Sequence, residues 1–253
     1  MTAAAPALFD RDEGSTPLGY ALPPNGPVPA LTKRIVELLR IDSGDLVIDL
    51  CCRDGTTSMA IPDDVRRRSQ VVAVRPFGER LGRLLATSGV RTVQMDALAF
   101  GRFPMRYEKV LLRGGFSRFR DRFRGQLAPL FERLDPAARF LVVDSAPSSD
   151  APLCAEGLRR WERERCPAEA IARVLDEAGF ATQIDVVTCV RHVLTADCRA
   201  WIASRGWPIL ASFSEAELQH GLGELRRRYG SQQTVTFTSR FELVLGTKPP
   251  PGQ

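Results

Sequence analysis

An apolar run passes directly into a turn in the stretch DLVIDLCCRDGTT, residues 45–57. A turn at a strand end holds backbone amides close to a bound ligand when its residues are small, because the ligand then meets no bulky side chain. Cys51 and Gly55 satisfy that requirement, and Asp49 stands near the end of the run. Arg53, between the two small residues, brings a large cation into the turn. The stretch predicts a ligand-cradling loop with an unusual charge at its centre.

A second arginine ends the next apolar run, where Arg75 closes SQVVAVRP. A guanidinium is planar, offers five donors and no acceptor, and suits phosphates and carboxylates. Two interpretations of Arg53 and Arg75 stay open. Either the side chains turn outward and pair with carboxylates such as Asp54 or Asp49, or they fill the ligand pocket and create an anion site.

Few side chains in the chain are suited to act as a general base. The two histidines are His192, near the end of a predicted strand, and His220, in a predicted helix. Histidines in such places commonly have structural or surface roles. If the chemistry needs a base, the candidates are His192, Asp96 and Tyr20.

Five apolar runs alternate with segments of helical spacing between residues 30 and 147. The first helix is predicted in ALTKRIVELLRI, where leucines and isoleucines recur every three to four residues. Strands that are apolar throughout and alternate with helices indicate a parallel sheet covered on both faces, the doubly wound α/β class. The five predicted strands lie in DLVIDL, SQVVAVRP, VRTVQMDA, YEKVLLRG and ARFLVVDSAP, and later ones lie in ATQIDVVTCVRHVL and TVTFTSRFELVLGTK.

The chain divides into one domain with two short extensions. Residues 1–28 are rich in Ala, Pro and Gly without a sustained period, which predicts a flexible N-terminal arm. Residues 29–248 form the predicted domain, and residues 249–253 form a tail. The mostly helical stretch 196–229 is interpreted as an insertion that forms part of a lid over the ligand face.

Composition restricts the possible partners. At 253 residues and 44% hydrophobic content the chain can bury a large core. The net charge of +5 is compatible with nucleic-acid binding, but only three of the 35 basic residues are lysines. That skew is typical of a GC-rich genome, and the arginines are scattered rather than grouped on one face. We therefore expect no nucleic-acid partner, and RNA stays a less favoured alternative.

The cysteines and the N-terminus indicate a soluble protein of the cytoplasm. None of the six cysteines stands in a CxxC spacing, so we expect reduced thiols and no metal site. The N-terminus lacks a basic segment followed by an apolar core, and no apolar run approaches ~18 residues. The sequence therefore predicts neither export nor membrane insertion.

The order of these elements and several short stretches resemble the class I S-adenosylmethionine-dependent methyltransferases. The resemblance covers roughly residues 30–248. It rests on five stretches in order, VIDLCCRDGTT, VVAVRPFGERL, VQMDALAF, YEKVLLRGGFSRF and LAPLFERLDPAARFLVVD, and on the closing part RGWPILASFSEAELQHGL…FTSRFELVLGTK.

The resemblance implies a seven-stranded, mostly parallel sheet whose last strand is antiparallel, with S-adenosylmethionine bound at the carboxyl ends of the strands. Asp96 and Ala97 stand where the family meets the adenine amine, and Ser117 lies where related enzymes often contact the acceptor. The implied cofactor residues are Asp49, Cys51, Arg53, Gly55, Arg75, Asp96, Ala97, Arg113 and Gly114.

Two positions depart from the family pattern. Arg53 replaces the middle small residue of the first motif, and Arg75 replaces the acidic residue that accepts hydrogen bonds from the ribose hydroxyls. Two functions follow. The protein transfers a methyl group from S-adenosylmethionine to O, N or C of a small molecule, or it has lost that cofactor. In the second case it acts as a non-methylating enzyme (cyclisation, elimination or rearrangement) or as a binding module.

Overall fold

The computed structural model describes residues 29–42, 44–50, 58, 61, 70–75, 90–95, 97–100, 105–114, 116 and 127–250. The strands are β1 (Leu46–Leu50), β2 (Gln70–Arg75), β3 (Arg91–Gln94), β4 (Tyr107–Arg113), β5 (Leu134–Ser145), β6 (Ala181–Leu194) and β7 (Thr234–Thr247). The helices are α1 (Pro29–Leu39), α2 (Ala97–Phe100), α3 (Ala155–Glu164), α4 (Ala168–Glu177), α5 (Thr195–Ala203) and α6 (Glu215–Tyr229), with a 3₁₀ helix at Pro208–Ser212. Residues 127–133 are also helical.

The seven strands form one sheet in the order β3-β2-β1-β4-β5-β7-β6. Strands β1 to β5 are parallel to one another, and β7 runs antiparallel between β5 and β6. The predicted doubly wound, mostly parallel sheet with an antiparallel last strand is confirmed. The central strands form because their apolar residues are buried on both faces of the sheet.

Alternate residues of each strand build two hydrophobic cores, one on each face of the sheet. Ile48 and Leu50 of β1 point to a core that includes α4 and the helical segment 127–133. Val47 points to the opposite core, which α1 covers. Asp49 has the same parity as Val47 and therefore lies on the α1 side of the sheet.

Strands β6 and β7 extend beyond the rest of the sheet. Ser145, the last residue of β5, pairs with Phe241, which pairs in turn with Val187. Residues 188–194 of β6 and 234–240 of β7 therefore pair only with each other, as a two-stranded ribbon at the end of the sheet where the parallel strands finish.

A third core lies between this ribbon and a group of helices. We name α3, α5, the 3₁₀ helix and α6 the helical cluster. Its interior contains Trp161, Trp207 and Phe213, and the ribbon contributes Val235 and Phe237. The cluster is distinct from the two cores of the sheet. Its helices α5 and α6 and the 3₁₀ helix lie between β6 and β7 in the sequence, and α3 lies before β6.

Several predicted elements agree with the structure, and two helices were missed. The predicted first helix and the strands in the described ranges are present. Helix α3 and the four-residue α2 were not predicted, and β5 begins at Leu134 rather than near residue 138. The sequence also predicts helices in TTSMAI and FGERLGRLLATSG. Apart from Ser58 and Ile61, these stretches lie outside the described residues, as does the predicted arm 1–28. No helix in the described ranges is both long and apolar enough to cross a membrane.

Gly206 tests the packing of the helical cluster. A Cβ atom at this position would lie 2.2 Å from two ring atoms of Trp201, so the indole ring would have to move. We expect Gly206→Ala to lower the free energy of unfolding by about 1–3 kcal/mol in urea denaturation. The control is Gly223→Ala in α6, where a Cβ would meet only Arg227 Nη1 at 3.8 Å. That change should raise stability by up to about 1 kcal/mol, and equal effects of the two would refute the packing argument.

Candidate functional site

The chain changes direction in the sheet between β1 and β4. From β1 the strand order runs outward through β2 and β3 on one side, and from β4 it runs through β5 on the other. A crevice opens at the carboxyl ends of the strands at such a switch point, and ligands of open α/β sheets bind there. The predicted site residues are therefore best located relative to this edge.

Five of the predicted cofactor residues lie at that edge within the described ranges. Asp49 is the penultimate residue of β1, Arg75 ends β2, and Arg113 ends β4. Gly114 follows Arg113 directly, and Ala97 opens α2 after β3. The structure thus brings together, at one edge, the ends of four strands or the residues that follow them.

Arg75 and Arg113 stand at the same level on either side of β1. Leu50 pairs with Val74 on one side and Leu112 on the other, so each arginine is one residue beyond the end of β1. Two strand spacings separate their backbones, a distance of about 10 Å. The Arg113 side chain is half-buried. The backbones of two arginines therefore border the crevice.

Asp49 is held in place by a hydrogen bond. Its carboxylate is 2% exposed and accepts from the Ser58 hydroxyl at 2.5 Å, and Ser58 is itself fully buried. Buried carboxylates need such partners, because removal from water is otherwise costly. The bond joins the end of β1 to Ser58, nine residues further along the chain. Ser58 was not predicted as a site residue, since nothing in its local sequence marks it as a partner of Asp49.

Gly114 has a backbone conformation that favours glycine. Its φ of +62° lies in the left-handed region, which side chains disfavour. Its backbone N–H donates to Val143 O at 2.8 Å, and the residue is exposed. The chain therefore leaves β4 with bare backbone next to the crevice.

Asp144, a charged residue that was not predicted as a site residue, lies at the end of β5. Asp144 is buried and accepts from Arg165 Nη1 at 2.8 Å. The Arg165 guanidinium lies 4.3 Å from the centre of the Trp161 ring, and the indole N–H donates to Ala146 O at 2.9 Å. These contacts fix the end of α3 on the end of β5, beside the crevice.

A second buried carboxylate lies opposite Asp144 in the sheet. Glu242 of β7 pairs with Asp144 in the strand register. Its Oε2 accepts from the backbone N–H of Ala168, the first residue of α4, at 2.9 Å. The partial positive charge at a helix N-terminus stabilises a carboxylate placed there. Each of the two carboxylates thus has its own positive partner, and together they anchor α3 and α4.

Helix α6 of the helical cluster has a well-formed N-terminus. Ser214 and Glu217 form a reciprocal capping box. The hydrogen bonds from the backbone and hydroxyl of Ser214 lower the pKa of Glu217, with a smaller contribution from Arg160. In the interior, burial raises the pKa of the Cys198 thiol to about 11, so that this cysteine is neutral at physiological pH. Glu217 thus caps a helix, and Cys198 is a packed thiol of the cluster interior.

His192 lies apart from the crevice residues. It is exposed on the ribbon, where its Nδ1 is 3.0 Å from Thr236 Oγ1. It stands five residues beyond Val187, which is level with the end of β5, a distance of about 17 Å along the strand. Its role as a base stays a prediction, but the structure does not bring it beside Asp49.

The remaining predicted residues lie outside the described ranges. They are the cofactor residues Cys51, Arg53, Gly55 and Asp96 and the candidate acceptor and base residues Ser117 and Tyr20. Within the described part of the chain, no group of three or more His, Cys, Asp or Glu side chains is placed to bind a metal.

Comparison with solved structures identifies the fold. The chain is similar to phosphoethanolamine N-methyltransferase 2 of Haemonchus contortus in complex with S-adenosyl-L-methionine (15% identity, TM-score 0.56), covering 91% of this chain and 54% of that one. It thus spans about half the length of that enzyme. It is also similar to a putative methyltransferase from an antibiotic biosynthesis pathway of Anabaena variabilis (14%, 0.56; 86% and 97% covered).

A third similar structure is a cyclopropane-fatty-acyl-phospholipid synthase-like protein of Lactobacillus casei (13% identity, TM-score 0.55), with 85% of this chain and 89% of that one covered. No protein-family model matches the sequence, and no curated protein does so. At these identities the comparisons show the fold, which is that of the class I methyltransferases.

Proposed function

We propose that this protein transfers a methyl group from S-adenosylmethionine to an oxygen, nitrogen or carbon atom of a small molecule. The observation that carries the proposal is the crevice between β1 and β4, where Asp49, Arg75, Ala97, Arg113 and Gly114 lie at one edge of a methyltransferase fold. S-adenosylmethionine supplies the methyl group as an electrophile on its sulfonium.

The described residues support a ligand at this edge by positioning it. Asp49 is held at the end of β1 by its bond to Ser58. Gly114 leaves exposed backbone at the end of β4. Methyl transfer is accelerated mainly by holding the acceptor in line at ~3–3.5 Å, and it needs no catalytic triad. A general base is then required only for acceptors that carry a proton, and His192, Ser117 and Tyr20 keep their candidate roles.

We assign the helical cluster the role of a lid. Strand β6 runs in the same direction as β5, so its carboxyl end and the start of β7 lie at the ligand end of the sheet. The cluster is built on those two strand ends and is tied to β5 through Arg165 and Asp144. It is therefore positioned to exclude water from the crevice and to contact the acceptor. This assignment extends the predicted lid 196–229 to include α3.

A second function is favoured by Arg75. This residue ends β2, where the ribose hydroxyls of the cofactor require an acceptor, and a guanidinium has none. With Arg113 level on the other side of β1, the edge suits an anionic ligand. In this alternative the protein does not use S-adenosylmethionine, and it acts as a non-methylating enzyme or a binding module.

Calorimetric titration with S-adenosylmethionine and S-adenosylhomocysteine distinguishes the two functions. The wild type is compared with the double variant Arg53→Gly, Arg75→Asp. The control is Arg163→Ala, Arg227→Asp, which removes the same amount of positive charge from exposed helical positions. Micromolar binding by the wild type supports methyl transfer. Absence of binding by the wild type and the control, with binding gained by a folded double variant, contradicts methyl transfer and supports the alternative.

A further inference from the structure

Among the described residues, strand β6 forms an unpaired edge of the sheet. Its 14 residues pair with β7 along their full length, and no strand in the described part of the chain pairs with its other side. Natural sheets protect such edges with proline, lysine, bulges or very short strands. The β6 sequence ATQIDVVTCVRHVL contains no proline, glycine or lysine, and its pairing with β7 has no break in register. The edge is therefore long, regular and open to a further strand.

One face of β6 is both apolar and exposed. Ile184, Val186, Val190 and Leu194 occupy alternate positions and are 40%, 41%, 61% and 57% exposed. They are the large hydrophobic residues that the described chain leaves exposed, and all four lie on this one strand face. The opposite face is packed against the cores through residues such as Val187. A grouping of this kind marks an interaction surface rather than random surface composition.

We propose that two copies of this protein associate by antiparallel pairing of their β6 strands, about a twofold axis through Thr188. The two seven-stranded sheets then form one continuous sheet of 14 strands. An interface of this kind is isologous, so each contact occurs twice. The register places Asp185 opposite Arg191 of the second copy and Val186 opposite Val190 of the second copy.

The charges select this register among its neighbours. Paired residues of antiparallel strands point to the same face, so a twofold axis perpendicular to the sheet must pass through a residue. With the axis at Val187, Asp185 would face Cys189, and with the axis at Cys189 it would face Val193. Only the Thr188 axis sets the two charged residues of β6, Asp185 and Arg191, against each other. The strand is thus self-complementary in charge in one register.

The surroundings of Asp185 support the same partner. Within its own chain the carboxylate accepts a hydrogen bond from Arg34 of α1, on the face of the sheet that α1 covers. In the dimer the carboxylate would lie between two guanidiniums, one from each copy. On the other face, Val186 and Val190 of both copies would form a cluster of four valines about the axis, which lowers the exposure of Val190, the most exposed large apolar side chain of the described residues. Cross-strand pairs of both kinds stabilise sheets.

The oligomeric state of the 253-residue chain tests the proposal. Sedimentation equilibrium of the wild type should show a dimer, and Val190→Lys should raise its dissociation constant at least about tenfold, by placing like charges near the axis. Gln233→Lys, at an exposed position between α6 and β7, adds the same charge away from the edge and should leave the constant unchanged. A wild type that stays monomeric at high protein concentration would overturn the proposal.

Disulfide formation tests the register itself. Residue 188 faces its own copy across the axis at a Cα distance suitable for a disulfide. Thr188→Cys should therefore give a covalent dimer on mild oxidation, whereas Leu194→Cys, which would oppose Thr182, should behave as the wild type does. A dimer that Val190→Lys leaves intact and Thr188→Cys does not cross-link uses another surface. A monomer whose outward β6 amides are protected from hydrogen exchange would show that another segment of the same chain, such as residues 1–28, covers the edge. Either result refutes the proposal.

Discussion

Arg165→Ala should lower the free energy of unfolding by about 3–5 kcal/mol. The loss arises because the Asp144 carboxylate, 3% exposed, would remain buried without the guanidinium that now lies 2.8 Å away. The stacking of Arg165 on Trp161 is lost in the same change. Equilibrium denaturation in urea, followed by far-ultraviolet circular dichroism, measures the effect. The prediction also bears on function, since this pair ties the helical cluster to the end of β5.

The control is Arg159→Ala in α3. Arg159 also forms an ion pair, with Glu156 at 2.7 Å, but its side chain is 67% exposed. Exposed pairs contribute little, so this variant should lose no more than about 1 kcal/mol. Adding Asp144→Asn to Arg165→Ala should recover part of the lost stability, because the uncompensated charge is then removed. Equal losses for Arg165→Ala and Arg159→Ala would contradict the assigned role of the buried pair.

Trp207→Ala should lower the free energy of unfolding by about 3–5 kcal/mol. Trp207 is 1% exposed and is the largest fully buried side chain in the described part of the chain. It fills the interior of the helical cluster, between the 3₁₀ helix and its neighbours. Truncation removes its buried apolar surface and leaves a cavity that surrounding side chains only partly refill.

Trp201→Ala is the matched control for the second prediction. Trp201 packs against the same cluster but is only half-buried, so less buried surface is lost. Its indole nitrogen also has no hydrogen-bond partner among the described residues, so no such bond is broken. We expect a loss clearly smaller than that of Trp207→Ala in the same urea experiment. The reverse order of the two losses would show that the cluster interior is assigned incorrectly.

The parts of the fold that could be predicted are those whose signal is local. Strands β1, β2 and β4 are recognisable because their apolar residues are consecutive, and α1 is recognisable by its spacing. Asp49, Arg75 and Arg113 could be assigned to one edge because each is the last or the penultimate residue of one of those strands. The seven-stranded sheet with an antiparallel last strand then follows from the resemblance, and the structure agrees with it.

The parts that could not be predicted depend on distant partners. Helix α3 has the sequence AEGLRRWERE, whose apolar residues are too few to give a helical period without the cluster against which Trp161 packs. The bond between Ser58 and Asp49 and that between Arg165 and Asp144 join residues 9 and 21 positions apart, with no motif at either end. The bounds of β6 were predicted, but its extension beyond β5 is set by the register with β7.

The three tryptophans of the chain, Trp161, Trp201 and Trp207, all lie in or against the helical cluster, and none lies in the sheet. Intrinsic fluorescence excited at the indole band therefore reports the cluster alone, whereas circular dichroism in the region of β-structure reports mainly the sheet. An emission change on adding a ligand that binds at the strand ends would mean that the cluster responds to occupancy of the crevice. Unfolding curves that differ between the two signals would mean that the cluster opens independently of the sheet. The three tryptophans thus form a natural fluorescent probe of the helical cluster.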